Sequence, residues 1–426
     1  MEGEGGFMSK EQTGVGRRDF LRVSGAAASG IWVLKSSVVR GTAANSRLNI
    51  ALLGCGGRGN SVAGDFVSHT DSQVTVLGDL FQDRLDATEQ RLNRMQEEKG
   101  RSKVLKKFQG SQAFREVASS EVDMVIVASP PYFHPEHAAA VVEAGKHIYL
   151  EKPVATDVRG CLAVAALGDK AEGKLSANVD FQIRRGSQFA EQTRRLHDGA
   201  IGDIACVHGF YFAGDLPRHT DPNMSPMERK LRNWVFDRVL GGDIIVEQNI
   251  HVLDVYNWIL KAHPIRVQAT AARKVRTDIG DVNDHYVVTL FYPNDVRASF
   301  MSTQFLPTWG SVGWRCFGPK GFSEAFYSGG LVIRGENPWE ATPDEAAGQK
   351  RPEVDPLGDA TPLKAQAFVE SIKSGRFHNE LKQGAESTLT AILARQAALE
   401  GREMSWGELL ASDQHWETDI DVTRLG

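Results

Sequence analysis

Two short stretches of this chain carry side chains suited to moving protons at a substrate. The first is Glu151-Lys152-Pro153, directly after the apolar run Ile148-Tyr149-Leu150. An ammonium held at the end of a strand can stabilise a developing alkoxide and pass a proton. The second is GGDIIVEQNIHVLDVYNW, residues 241–258. Glu247, His251, Asp254 and Trp258 recur there at spacings of four, three and four, which predicts one face of one helix. An imidazole titrates near neutrality, so His251 is the natural general base, with Glu247 expected to orient its ring. The plainer alternatives are a solvated lysine and a core histidine paired with Asp254.

The elements that must position these groups begin with a nucleotide-binding pattern. The aliphatic run 48–53 ends in Gly54-Cys55-Gly56-Gly57-Arg58-Gly59, which holds the G-x-G-x-x-G spacing on Gly54, Gly56 and Gly59. The first glycine permits a tight turn, the second lets backbone approach a pyrophosphate, and the third allows close helix–strand packing. Val74 to Gly78 reads as a second strand ending at Asp79, whose carboxylate would accept from ribose hydroxyls and repel a 2'-phosphate. NAD is therefore expected over NADP, although Arg58 and Arg84 are available to a phosphate. Further strands at 122–128 and 146–150 alternate with helical stretches, which predicts a parallel sheet. Ser129-Pro130-Pro131 breaks the first of these strands, and a helix is expected from His134.

The run AGKHIYLEKPVATD, residues 144–157, resembles the signature of the glucose–fructose oxidoreductase/inositol dehydrogenase (Gfo/Idh/MocA) family. The glycine loop, the Ser-Pro-Pro break, the Glu-Lys-Pro turn and the later His251 stand in that family's order, from Leu48 to the last helix. The resemblance implies an α/β fold: a Rossmann domain near 47–170, then an α+β domain near 171–426 with an open, mainly antiparallel sheet. It implies a catalytic set of Lys152, His251 and Glu247, where the best-known polyol dehydrogenases have aspartate in place of Glu247. Cofactor contacts are implied for Gly54, Gly56, Gly57, Arg58, Gly59, Asp79, Ser129, Pro130, His134, Glu151 and Lys152. Substrate contacts are implied near Asn178, Gln182, Arg185 and His251, with Trp234 offering a flat wall to a sugar ring. A proline in cis after the lysine is a family trait.

The implied reaction is hydride transfer between nicotinamide and a secondary hydroxyl of a sugar, polyol or glycoside. Two rivals use the same parts: an NAD-dependent glycoside hydrolase working by transient oxidation and elimination, and a sugar–sugar oxidoreductase with a retained, tightly held cofactor. Glycosidases of this kind depart from lysine in the Glu-Lys-Pro turn, whereas Lys152 is kept. A sensor that has lost catalysis is a third reading, opposed by Lys152 and His251. No metal is expected: H-E-x-x-H is absent, and His208, His251 and His285 have no metal-binding spacing.

The rest of the chain frames this reading. The net charge of −5 gives no general attraction for nucleic acid or an anionic membrane. Four well-separated cysteines suggest neither a metal knuckle nor a disulfide framework. Residues 1–46 read as a leader: Arg17-Arg18-Asp19-Phe20-Leu21 precedes a short run of small apolar residues, in the order of a twin-arginine signal. The expectation is export to the periplasm by the twin-arginine machinery, with cofactor already inside, or a cytoplasmic protein if the leader does not act. In the later half, strands are expected at 266–273, 284–292, 296–304 and 312–317, with a hairpin at Pro293-Asn294-Asp295. Helices are expected at 363–374 and 385–399, the second packing back on the first domain. The family's open sheet implies a homo-oligomer, a dimer or tetramer.

Overall fold

Residues buried on both faces of a parallel sheet form continuous apolar runs, and the first strands of this protein are of that kind. The computed structural model describes residues 47–342 and 357–425; the leader expected over 1–46 lies outside them. The first sheet is built from β1 (Leu48–Leu53), α1 (Gly57–His69), β2 (Ser72–Asp79), α2 (Gln82–Glu97), β3 (Lys106–Gln109), α3 (Ala113–Ser119), β4 (Met124–Val127), α4 (His134–Glu143), β5 (His147–Leu150), α5 (Val158–Ala171) and β6 (Ala177–Val179). The strand order is β3-β2-β1-β4-β5-β6 and every pairing is parallel. The order reverses between β1 and β4, where such sheets bind ligands.

After β6 the chain makes a 3-10 turn, Gln182–Arg185, and then α6 (Ser187–His197) and β7 (Cys206–Gly214). The short helices α7 (Pro226–Arg232), α8 (Arg238–Gly241) and α9 (Ile244–Glu247) lead to α10 (Ile250–Leu260). The remaining strands are β8 (Arg266–Ala272), β9 (His285–Phe291), β10 (Arg297–Leu306), β11 (Ser311–Gly318), β12 (Gly321–Phe326), β13 (Leu331–Gly335) and β14 (Trp339–Glu340). Then come α11 (Ala360–Ser374), α12 (Leu381–Glu400), β15 (Met404–Ser405) and α13 (Trp406–Ala411).

The second sheet has the order β14-β13-β12-β11-β7-β10-β9-β8-β15. Only the β7–β10 pairing is parallel; the others are antiparallel. Asn294 and Asp295 both adopt positive φ between β9 and β10, the geometry of a tight hairpin turn. Strand β7 was not foreseen, because it pairs with strands far along the chain and its partly apolar pattern is ambiguous alone.

One apolar core runs through both sheets. It joins Val125 and Leu150 to Val246, Ile250 and Phe300. Helix α12 packs on α5 and β8 at once, and α11 packs on α1. No helix among the described residues is long and apolar enough to cross a membrane.

The structure corrects one sequence expectation here. Glu247 and His251 do not share a helix. The Gln248 N–H donates to the Ile244 carbonyl, but so does the Asn249 N–H, one residue further on. That widened turn ends α9, and α10 restarts at Ile250 in a new phase.

Candidate active site

The glycine loop closes as its spacing predicts. Gly54 has φ +96°, and a Cβ there would lie 2.5 Å from the backbone of Ala128 and Ser129 at the end of β4. A Cβ on Gly59 would meet the Gly54 carbonyl oxygen at 2.0 Å. Gly57 faces open space. Gly56 precedes α1 with no side-chain cap, and the first turn of α1 holds no acidic residue, so its N–H groups are left for an anion. A cavity of about 530 Å³ spreads from this loop to Asp79, Gln112, Ser129 and Pro130. Asp79 is 8% exposed. Its two oxygens accept from the N–H groups of Cys55 (2.7 Å) and Phe81 (2.9 Å), which holds its carboxylate at the cavity wall. Glycines where a Cβ would clash, an uncapped helix start and an acidic strand end together fit a dinucleotide.

Arg58 leads from this cavity to the Glu-Lys-Pro turn. It lines the cavity, and its guanidinium bonds Glu151 (2.8 Å) and Asp180. Glu151 and Asp180 are buried at the ends of β5 and β6. Burial resists the ionisation of Asp180, but Arg58 and Lys364 outweigh it and hold its carboxyl below the usual range. Burial and the Asp180 charge push Glu151 up. Lys364, itself 2% exposed on α11, bonds the Val179 carbonyl and lies 3.6 Å from Asp180. Asp180 and Lys364 were missed in the sequence. Asp180 had a signal, since it ends a parallel strand one step beyond Lys152; Lys364 had none.

Lys152 reaches across to α9. Its Nζ donates to the Glu247 carbonyl (2.5 Å) and carboxylate (3.0 Å), and both side chains are mostly covered. The Lys152–Pro153 peptide is cis. Glu247 thus partners the lysine and not His251, contrary to the expected ring-orienting role. The extra methylene of glutamate and the phase break at Asn249 carry it there. His251 lies in the same cluster, edge-on to Phe181 and Tyr327. Its Nδ1 is buried without a partner. Burial, with the charges of Lys152 and Arg58, drives its pKa well below the ordinary histidine value, so the ring is neutral.

Most of the other expected contact residues have protein partners of their own. His134 sits behind the turn: its ring nitrogens face the carbonyls of Pro153 (2.7 Å) and Ser129 (2.8 Å), so it ties two loops together and does not line the cavity. Arg185 pairs with Glu380 at 2.9 Å, and the Asn178 amide, in its favoured orientation, donates to the same carboxylate. Gln182 lies in the 3-10 turn beside them. Trp234 lines the dinucleotide cavity and not the lysine–histidine cluster. Asp254 is held by Arg184 in a two-pronged ion pair (2.8 and 2.9 Å), which removes it as a partner for His251. Tyr211 and Tyr327, edge-on to each other, add aromatic walls near His251 and Glu247. Among the described residues no cluster of His, Cys, Asp and Glu has the arrangement of a metal site.

A parallel dinucleotide sheet joined to an open sheet, with lysine and histidine between them, defines a two-domain nicotinamide-dependent oxidoreductase architecture. The chain belongs to the Gfo/Idh/MocA family: residues 48–179 match its NAD-binding Rossmann oxidoreductase domain, and residues 189–323 match its C-terminal domain. It is similar to the inositol 2-dehydrogenase of Rhizobium meliloti strain 1021, at 27% identity over 46% of this chain and 57% of that protein. It is also similar to a glycosyl hydrolase family 109 protein of Streptomyces coelicolor, at 27% identity over 40% of this chain and 35% of that one. The chain thus spans from about a third to just over half the length of these relatives. In fold it resembles an aldose–aldose oxidoreductase from Caulobacter crescentus (TM-score 0.66, 21% identity, 84% of this chain and 99% of the other). It also resembles a levoglucosan dehydrogenase solved with NADH and levoglucosan (TM-score 0.68, 19% identity, 84% and 99%).

Proposed function

We propose that this protein transfers hydride between NAD and a secondary hydroxyl of a sugar, polyol or glycoside. The observation that carries the reading is the Lys152 ammonium, set on Glu247 beside a neutral His251 and linked through Glu151 and Arg58 to the dinucleotide cavity. When bound, the nicotinamide supplies the hydride acceptor or donor. An ammonium has three N–H donors; Glu247 takes two, and the third is free for the substrate oxygen. His251, neutral because it is buried among cations, accepts the hydroxyl proton as charge develops on that oxygen. Glu247 is the positioning residue for Lys152. Tyr211 and Tyr327 provide apolar ring faces for a cyclic substrate. The inositol dehydrogenase relative supports a polyhydroxylated substrate.

The Streptomyces relative favours a second reading, in which the same oxidation is transient and a glycoside is cleaved with no net change in NAD. A sugar–sugar oxidoreductase with retained cofactor would also show no net change. One experiment separates the three. Purified protein is denatured to count bound nicotinamide, and intact protein is tested on myo-inositol, free aldoses, levoglucosan and methyl glycosides, following both NADH and products. Net NADH on one class supports the dehydrogenase. Aglycone release without NADH supports the glycosidase, and paired oxidised and reduced sugars support the internal cycle. No product and no NADH on any class rejects all three.

We also read residues 1–46 as a twin-arginine leader that exports the folded protein with its cofactor, on the strength of Arg17-Arg18-Asp19-Phe20-Leu21. Replacing both arginines with lysine should retain the protein in the cytoplasm. A homo-oligomer is the third part of the reading. Val287, Met301, Phe317 and Phe322 share the outer face of the second sheet and are 38–51% exposed, a patch suited to a second copy. Sedimentation should give a dimer or tetramer.

A further inference from the structure

The dinucleotide cavity has a second wall that the Rossmann domain does not supply. Opposite Asp79 and Phe81 it is lined by Leu216 and His219 after β7, by Leu231 and Trp234 around the end of α7, and by Val422 and Thr423. The residues facing them, Leu80, Phe81, Ser111 and Gln112, follow β2 and β3. The adenosine half of a dinucleotide lies at that end of such a sheet.

The wall is fastened on both sides. Phe81 packs with Leu231, Leu240 and Ile420 in an apolar cluster of their own. The Arg232 guanidinium lies 3.8 Å from the centre of the Phe81 ring and pairs with Asp83 at 2.8 Å. Lys230 of α7 pairs with Asp419, which joins the two segments of the wall to each other. The chain leading to them is held too. The Trp416 N–H donates to Asp157 at 2.8 Å, and the buried Arg395 guanidinium lies 3.8 Å from the Trp416 ring centre.

We propose that residues 216–235 and 418–425 form the outer wall of the adenosine pocket and retain NAD, so that the cofactor leaves only when this wall opens. The inference rests on the dinucleotide reading above. It concerns residence time, which that reading does not fix. Apolar contact from Leu231 and Val422, with the Arg232–Asp83 and Lys230–Asp419 pairs as fastenings, sets the barrier to release.

The test compares the full chain with a chain ending at Glu417 and with a Leu231→Ala/Val422→Ala double variant. Each is loaded with NADH, then mixed with lactate dehydrogenase and pyruvate, which consume only NADH that has been freed. Loss of fluorescence reports release. Both altered proteins should release NADH on the order of tenfold faster or more, because such changes act mainly on dissociation. The double variant, with its circular dichroism and cooperative melting checked, guards against a truncated chain that fails to fold. Equal release rates from the full chain and a folded double variant overturn the proposal. A full chain that binds no NADH in an equilibrium titration fails the dinucleotide reading itself, a distinguishable result that removes the basis of this one.

Discussion

Lys152 is held by two acceptors from one residue, and His251 by none. That difference gives each a separate test. Lys152→Met keeps the length of the side chain and removes its charge. It should lower kcat by roughly 10²–10⁴-fold, while denatured protein still yields bound nicotinamide; unchanged kcat would remove Lys152 from the chemistry. His251 has a depressed pKa, so its neutral, basic form persists as pH falls below the ordinary imidazole range. The acid limb of kcat/KM should therefore have its midpoint below about 6.5, the unperturbed histidine value. A midpoint at or above that value would show that a different group is the base. His251→Gln should abolish this limb and leave NADH binding in place.

At the scale of elements, the site depends on one close backbone approach and one long-range tether. The β1–α1 turn works because Gly54 takes a left-handed φ where β4 passes against it. Gly54→Ala should cost at least about 2 kcal/mol from backbone strain, with the clash against Ala128 added, and should abolish NADH binding in a fluorescence titration. Helix α11 reaches the ends of β5 and β6 through Lys364. Lys364→Met leaves Asp180 buried with one cation fewer and should lower stability by about 3 kcal/mol, read by chemical denaturation. A loss under 1 kcal/mol would mean that Arg58 alone neutralises the pair.

Across the whole molecule, buried neutral histidines set the response to acid. Burial depresses His137 to about 3, and His251 is depressed by burial and neighbouring cations. In the unfolded chain both take up protons near pH 6.5, whereas in the folded protein they do not. The unfolded state then binds more protons, so stability is full above about 6.5 and falls as pH drops toward about 3, the folded value of His137. The melting temperature should decline over that interval in the full-length protein. A flat profile would require that these rings be accessible to protonation in the native state. The same assembly explains why the chain fills the space between its sheets with α12: one helix contacts α5 of the first sheet's layer and β8 of the second sheet.

Local rules were enough for much of this protein. Continuous apolar runs set the parallel strands, and the glycine spacing located the dinucleotide turn because only residues without a Cβ fit against β4 and the helix start. Lys152 was singled out by the resemblance of its Glu-Lys-Pro turn to the family signature, and the turn follows the parallel strand β5. Tertiary structure decided the partners. The helical spacing of Glu247 and His251 suggested a pair, but a single i−5 bond at Asn249 shifted the phase and gave Glu247 to Lys152. Trp234 had the chemistry of a sugar platform and became part of the cofactor wall, because α7 folds over Phe81. Asp180, Lys364 and Val422 joined the site from distant positions, brought there by strand order and by packing of the last helices. Sequence periodicity describes a segment's own faces; which distant segment those faces meet is fixed only when the whole core closes.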